Sequence, residues 1–144
     1  LAFRTIGPDK VNQLRHTRFL SGSGQLAEHM AAHAALIRPR FECVIDSLAR
    51  ELDGTGMGAW SSPRGGYFIS FNTLPGLARE VVALAETIGV KLTPAGATYP
   101  YGKDPKDCNI RLSPTYPSLD DVQAAITAFI VCVKIASLNA RLNP

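Results

Sequence analysis

The residue of this chain best suited to chemistry is Arg111, set in Asn109-Ile110-Arg111-Leu112-Ser113 so that Ile110 and Leu112 point one way and the polar residues the other. A guanidinium carried on a strand whose opposite face is core becomes a fixed planar fork, able to grip a carboxylate through two parallel hydrogen bonds. On pattern alone, the first reading is an ordinary exposed sheet arginine. Tyr67 after Gly65-Gly66, and Thr93-Pro94-Ala95-Gly96 with Tyr99-Pro100-Tyr101-Gly102, have the composition of loops that let a ligand or another backbone come close, or equally of tight turns.

Two further patterns are weaker. His29 and His33 stand four apart in Glu28-His29-Met30-Ala31-Ala32-His33, a spacing that could chelate zinc on one helix face. The glutamate precedes the first histidine and no third ligand is visible, so a solvated helix face is expected. Gly54-Thr55-Gly56-Met57-Gly58 resembles a dinucleotide loop only superficially. Such a loop follows a strand and begins a helix, so that amides can cradle phosphate; this one follows a helix and precedes a strand, and a simple turn is expected.

The elements that must position these groups can be read from periodicity. Gly7-Pro8 before DKVNQLRHTRFL predicts a short polar helix over 8–20 with proline in its first turn. After the turn Ser21-Gly22-Ser23-Gly24, the residues Leu26, Met30, Ile37, Phe41, Val44, Leu48 and Leu52 recur at helical spacing. They predict one long amphipathic helix, about 45 Å at 1.5 Å per residue, interrupted by Pro39 and stopped by Gly54. MGAWSSP and GGYFISFN, joined through Pro63-Arg64-Gly65-Gly66, predict a hairpin with a dry side, where Tyr67, Ile69 and Phe71 alternate with Phe68, Ser70 and Asn72 on the more polar side. Leu77 to Ile88 predicts a helix closed by Gly89, VKLTP a short strand, CNIRLSP a two-faced strand, and Ser118 with Asp121 the capped start of a final helix. The expected order is α, α, β, β, α, β, β, α. That is an α/β (α+β) two-layer sandwich, with a small, mostly antiparallel sheet covered by helices on one face.

Composition narrows the function. The 144 residues, 46% hydrophobic and 19% charged, suffice for one core. A net charge of +3, with scattered basic residues, gives no nucleic-acid footprint. Cys43, Cys108 and Cys132 are odd in number and widely spaced, which suggests neither a disulfide framework nor a zinc site and fits a reducing, cytoplasmic setting. The longest apolar run, Ala124 to Ile135, contains Lys134 and is shorter than the roughly 20 residues that span a bilayer, so no membrane segment is expected. The chain begins at Leu1 without a signal peptide, which predicts a missing upstream part.

Four stretches carry a family resemblance: IGPDKVNQLRH at 6–16, HAALIRPRF at 33–41, WSSPRGGYFIS at 60–70 and GVKLTPAGATYPYGKDPKDCNIRLSPTYP at 89–117. Together, and in this order, they resemble the C-terminal part of class I aminotransferases. The particular likeness is to the atypical bacterial branch called MocR-like or alanine-glyoxylate aminotransferase-like. The resemblance implies a homodimeric fold-type-I enzyme using pyridoxal 5'-phosphate. Residues 1–144 would be its small domain, with an interdomain helix at about 24–53 and the cofactor-binding large domain upstream.

By the same resemblance, Arg111 matches the family arginine that holds the substrate α-carboxylate. Tyr67 and Asn109 would stand beside the substrate, and Gly66, Thr93 and Tyr101 would form the active-site wall. The family's aldimine-forming lysine follows a serine or threonine in a glycine-containing loop, and none of Lys10, Lys91, Lys103, Lys106 and Lys134 matches it. This chain by itself is therefore expected to be inactive. The parent is expected to move an amino group between an amino acid, such as aspartate, and a 2-oxo acid such as 2-oxoglutarate. The alternative is a stand-alone α/β ligand-binding or regulatory module without catalysis.

Overall fold

Periodic apolar residues become the buried faces of helices in the computed structural model, which describes residues 7–22 and 24–142. Its elements are α1 (Lys10–Phe19), α2 (Gln25–Leu52), β1 (Gly58–Trp60), β2 (Ile69–Thr73), α3 (Ala78–Thr87), β3 (Asn109–Leu112) and α4 (Leu119–Leu142), with a 3-10 turn at Pro100–Gly102. Packing divides the chain into two units with the boundary between Leu36 and Ile37. Ile6 and Ser23, which belong to two of the motifs above, lie outside the described residues.

In the first unit, α1 starts at Lys10, two residues later than Pro8 suggests. Asp9 caps it, accepting the Asn12 amide at 3.0 Å, and no residue of the helix is buried, Val11, Leu14 and Phe19 included. The ring of Phe19 meets His29 edge-on, and His29 and His33 stack with centroids 6.4 Å apart. No cluster of three metal-ligating side chains gathers among the described residues.

The second unit holds the core. Val44, Leu48 and Leu52 of α2, Val81 and Ala85 of α3, and Val122, Ile126, Phe129 and Val133 of α4 pack on Ile69, Phe71, Ile110 and Leu112 of the sheet. The sheet order is β1-β2-β3, antiparallel throughout, with Trp60 opposite Phe71 and Phe71 opposite Ile110. Direct neighbours across strands share a face, so these residues all turn toward the helices. The rings of Phe71 and Phe129 meet edge to face at 5.1 Å in the middle of the layer. Bonds from Cys43 to Gln123 and from Lys134 to Glu51 tie α2 to α4, running in the same direction.

The N-terminus of α4 follows its sequence signature: Ser118 Oγ accepts the Asp121 amide at 3.1 Å and donates to Asp121 Oδ2 at 2.6 Å. By length and composition α4 could cross a bilayer, yet its inner face is committed to this core. Tyr67, expected on the dry face of β2, precedes the strand and is half exposed.

One predicted strand does not form. VKLTP alternates in burial, with Val90 and Leu92 half-buried and Lys91 exposed, but joins no ladder. The Val90 amide closes α3 by donating to Ala85 O at 2.8 Å behind Gly89, which sits in the left-handed region at φ 86°. Pro94, at the other end, has no amide hydrogen to give. The observed order is α, α, β, β, α, β, α.

Phe129→Ala should lower the unfolding free energy of the 144-residue chain by about 3–5 kcal/mol, as read from urea denaturation. A loss below about 1 kcal/mol would place that ring outside the core.

Candidate functional site

The helices cover one face of the sheet and leave the other open. On the open face lie Ser70 and Asn72 from β2, Asn109 and Arg111 from β3, and Phe68 just ahead of β2. Register places Arg111 directly across from Ser70, so Phe68, two residues earlier, is its diagonal neighbour. The Arg111 guanidinium carbon lies 4.5 Å from the centroid of the Phe68 ring, within cation-π range.

Arg111 is half-buried, takes part in none of the ion pairs among the described residues, and has a buried Nε with no hydrogen-bond partner. A buried N–H left unpaired costs on the order of 1–3 kcal/mol unless something accepts it. The arrangement is therefore suited to an anion, and best to a planar one that matches the fork.

Asn109 organises the face. Its Nδ2 donates to Ser70 Oγ at 2.9 Å and to Asn72 Oδ1 at 2.8 Å, while its Oδ1 accepts from Thr98 Oγ1 at 2.7 Å. Both amide hydrogens are thus committed within the protein, and one lone pair of Oδ1 is left over. The bond from Thr98 anchors the loop that carries Tyr101. Within that loop Gly96 has φ 84°, and a Cβ there would collide with the carbonyl oxygen of Gly102, so the two legs of the loop touch.

The register of β3 is set from the other side by Asp104, a carboxylate only 7% exposed. Its Oδ2 accepts the Asn109 and Cys108 amides, each at 2.8 Å, and its Oδ1 accepts the Lys106 amide at 3.0 Å. These backbone donors, Asn109 first, hold its carboxyl below the ordinary carboxylate range against the opposing effect of burial.

The remaining predicted site residues are spread more widely. Thr93 is half-buried and, with Arg111, Val90, Leu92, Pro117 and Phe129, lines a cavity of about 160 Å³ at the outer edge of β3. Tyr67 is half exposed, and Gly66 before it takes φ 87° where the chain turns into β2. Tyr101, at φ 59°, is 97% exposed. The structure thus brings Arg111 together with Asn109 on one face and with Thr93 around one cavity. Phe68, which sequence reasoning assigned only to the more polar side of its strand, emerges as the direct neighbour of Arg111. The Gly54-to-Gly58 segment is a plain turn, with the Thr55 hydroxyl donating to Leu52 O at 2.7 Å.

Fold and face together define a small α/β domain that presents an arginine fork on an uncovered sheet. The chain belongs to the family described as aspartate amino-transferase, whose model matches residues 1–143. A Mycolicibacterium smegmatis protein, provisionally named an aminotransferase, is 45% identical over 97% of this chain and 33% of its own length. The crystal structure of an aspartate transaminase from Corynebacterium glutamicum superposes with a TM-score of 0.90 at 38% identity, over 96% of this chain and 33% of that one. A Pyrococcus horikoshii kynurenine aminotransferase, crystallised in complex with PMP, superposes with a TM-score of 0.65 at 25% identity, over 78% of this chain and 27% of that one. The chain therefore spans about a third of the length of the relatives it matches.

The Asp104 carboxylate stabilises the fold above its unfolded value of about 3.9, and that contribution is lost as pH falls through its lower folded value. Asp104→Asn should lower the urea midpoint at pH 7 and flatten the midpoint's fall as pH drops below about 4. An unchanged acid limb would show that Asp104 is not held as described.

Proposed function

We propose that this chain is the C-terminal small domain of a pyridoxal-phosphate-dependent aminotransferase, and that Arg111 holds the α-carboxylate of amino acid and 2-oxo acid alike. The observation that carries this reading is the unpartnered, buried Nε of a half-buried guanidinium on an open sheet face. Family membership and the aspartate transaminase likeness support aspartate as donor, and 2-oxoglutarate as acceptor rests on family analogy alone. The assignment to the MocR-like, alanine-glyoxylate-like branch rests on the four sequence stretches alone.

The open face offers a fork, neutral amides and hydroxyls, so it fits the substrate side of such a centre. Anchors for the cofactor itself would come from the remaining two thirds of the protein. When bound, pyridoxal phosphate supplies an electron sink for the charge released at the substrate Cα. The contribution of this chain is orientation. Two parallel bonds from Arg111 to the carboxylate fix the rotation about the bond between the carboxylate carbon and Cα, and so the direction in which the Cα proton leaves. A single point charge would hold the carboxylate but leave that rotation free.

Asn109, which also keeps β3 in register, and Tyr67 stand beside the substrate, and Gly66, Thr93 and Tyr101 form the wall around it. A homodimer in a reducing, cytoplasmic compartment completes the proposal, consistent with three unpaired thiols.

Translating the DNA upstream of Leu1 tests the domain assignment. An in-frame stretch of roughly 250 residues with a lysine-bearing cofactor loop supports the enzyme, whereas a start codon beside Leu1 favours the stand-alone module.

In the full-length enzyme, Arg111→Lys should reduce kcat/KM by roughly 10- to 100-fold, and unchanged kinetics would remove Arg111 from the site. The 144-residue chain mixed with pyridoxal phosphate should give no stable lysine-bound absorbance band. A band abolished by substituting one of its own five lysines would overturn the assignment of that lysine to upstream sequence.

A further inference from the structure

We infer that Phe68 is the positioning residue for the Arg111 fork, an inference that rests on the clamp role proposed above. Among the described contacts, the ring of Phe68 is the one group that meets the guanidinium. An arginine awaiting a carboxylate poses a physical problem. A partner aspartate or glutamate would fix the head but also neutralise it and occupy the donors intended for substrate. An aromatic ring avoids both effects. Its quadrupole attracts the cation, and it has no acceptor atom to saturate an N–H.

The contact follows from register rather than from sequence proximity. Ser70 faces Arg111, and the diagonal position on the open face belongs to Phe68, within reach of a long side chain. The ring is 45% exposed, so it is no core residue held there for burial. Gly66, in the left-handed region two residues earlier, turns the chain just before this ring. Its backbone and that of β2 therefore determine where the ring lies. Phe68 touches the arginine and acts on the substrate through it.

Because both half-reactions would use the same fork, loss of the ring should weaken both substrates alike. In the full-length holoenzyme, Phe68→Leu is expected to raise the KM of amino donor and 2-oxo acceptor by a similar factor, roughly three- to thirtyfold, with a smaller change in kcat. Phe68→Tyr, which keeps the ring, should stay within about twofold of wild type. In an Arg111→Lys background, Phe68→Leu should add less than about twofold, since coupled residues are not additive.

A readout independent of catalysis comes from NMR of the 144-residue chain. The Arg111 Nε–H resonance should carry a ring-current shift that vanishes in Phe68→Leu and persists in Phe68→Tyr.

KM values left unchanged by Phe68→Leu but raised by Arg111→Lys would remove Phe68 from this role and leave the clamp standing. If neither substitution moved KM, the clamp itself would fall. A loss confined to kcat, with a lowered melting temperature and an unmoved Nε–H resonance, would mark Phe68 as merely structural and overturn the inference.

Discussion

The antiparallel register of β2 against β3 is the constraint on which this domain depends. Ser70 opposite Arg111, and Phe71 opposite Ile110, decide at once which side chains enter the core and which stand on the open face. Side-chain direction alternates along a strand, so a slip of one residue would bury Arg111 beneath the helices and expose Ile110. Such a slip is strongly disfavoured. It would bring Ile110 and Leu112, both buried, into water, and it would place a guanidinium in the core without a partner. Hydrophobic burial on one face thereby fixes a charged group on the other.

The register is also held by polar groups that contribute little apolar burial. Asp104 gathers the amides of Lys106, Cys108 and Asn109 at the entry to β3, and the Asn109 side chain bridges back to both Ser70 and Asn72. Thr73 extends the pairing, its amide bonding to Cys108 O at 2.8 Å. Each bond contributes modestly by itself, about 0.5–1.5 kcal/mol net. Their common effect is to leave β3 a single alignment, which matters more here than their sum. A fork that recognises a planar ligand loses selectivity if its strand can shift by a fraction of a residue spacing.

Much of this was legible in the sequence because helical spacing and alternation report burial directly. The apolar positions of α2 and α4, the cap formed by Ser118 and Asp121, the glycine that closes α3 and the two faces of β3 all follow from residue type and interval. VKLTP shows where that logic ends. Val90 and Leu92 do turn inward on either side of an exposed Lys91, so the alternation is real. A strand also needs a ladder partner, and alternation carries no information about one. Phe68 was hidden for a related reason: its spacing from Ser70 says which face it shares, but only the pairing of two distant strands shows that Arg111 lies beside it. The loop residues Tyr67 and Tyr101 were singled out by composition, and composition gives neither their direction nor what they meet.

The open face has a further physical consequence. A sheet covered on one side exposes its remaining side chains to water, and in isolation a surface arginine there gains little from a carboxylate because both partners are already well solvated. The same pair becomes worth far more once water is excluded from around it. An orphaned Nε already removed from solvent is the first step toward that state, and a ring in place of a counter-ion keeps the charge available for the second. The open face is thus pre-organised for a planar anion, and on the reading proposed above, covering the sheet with a further domain would convert a solvated fork into a selective one.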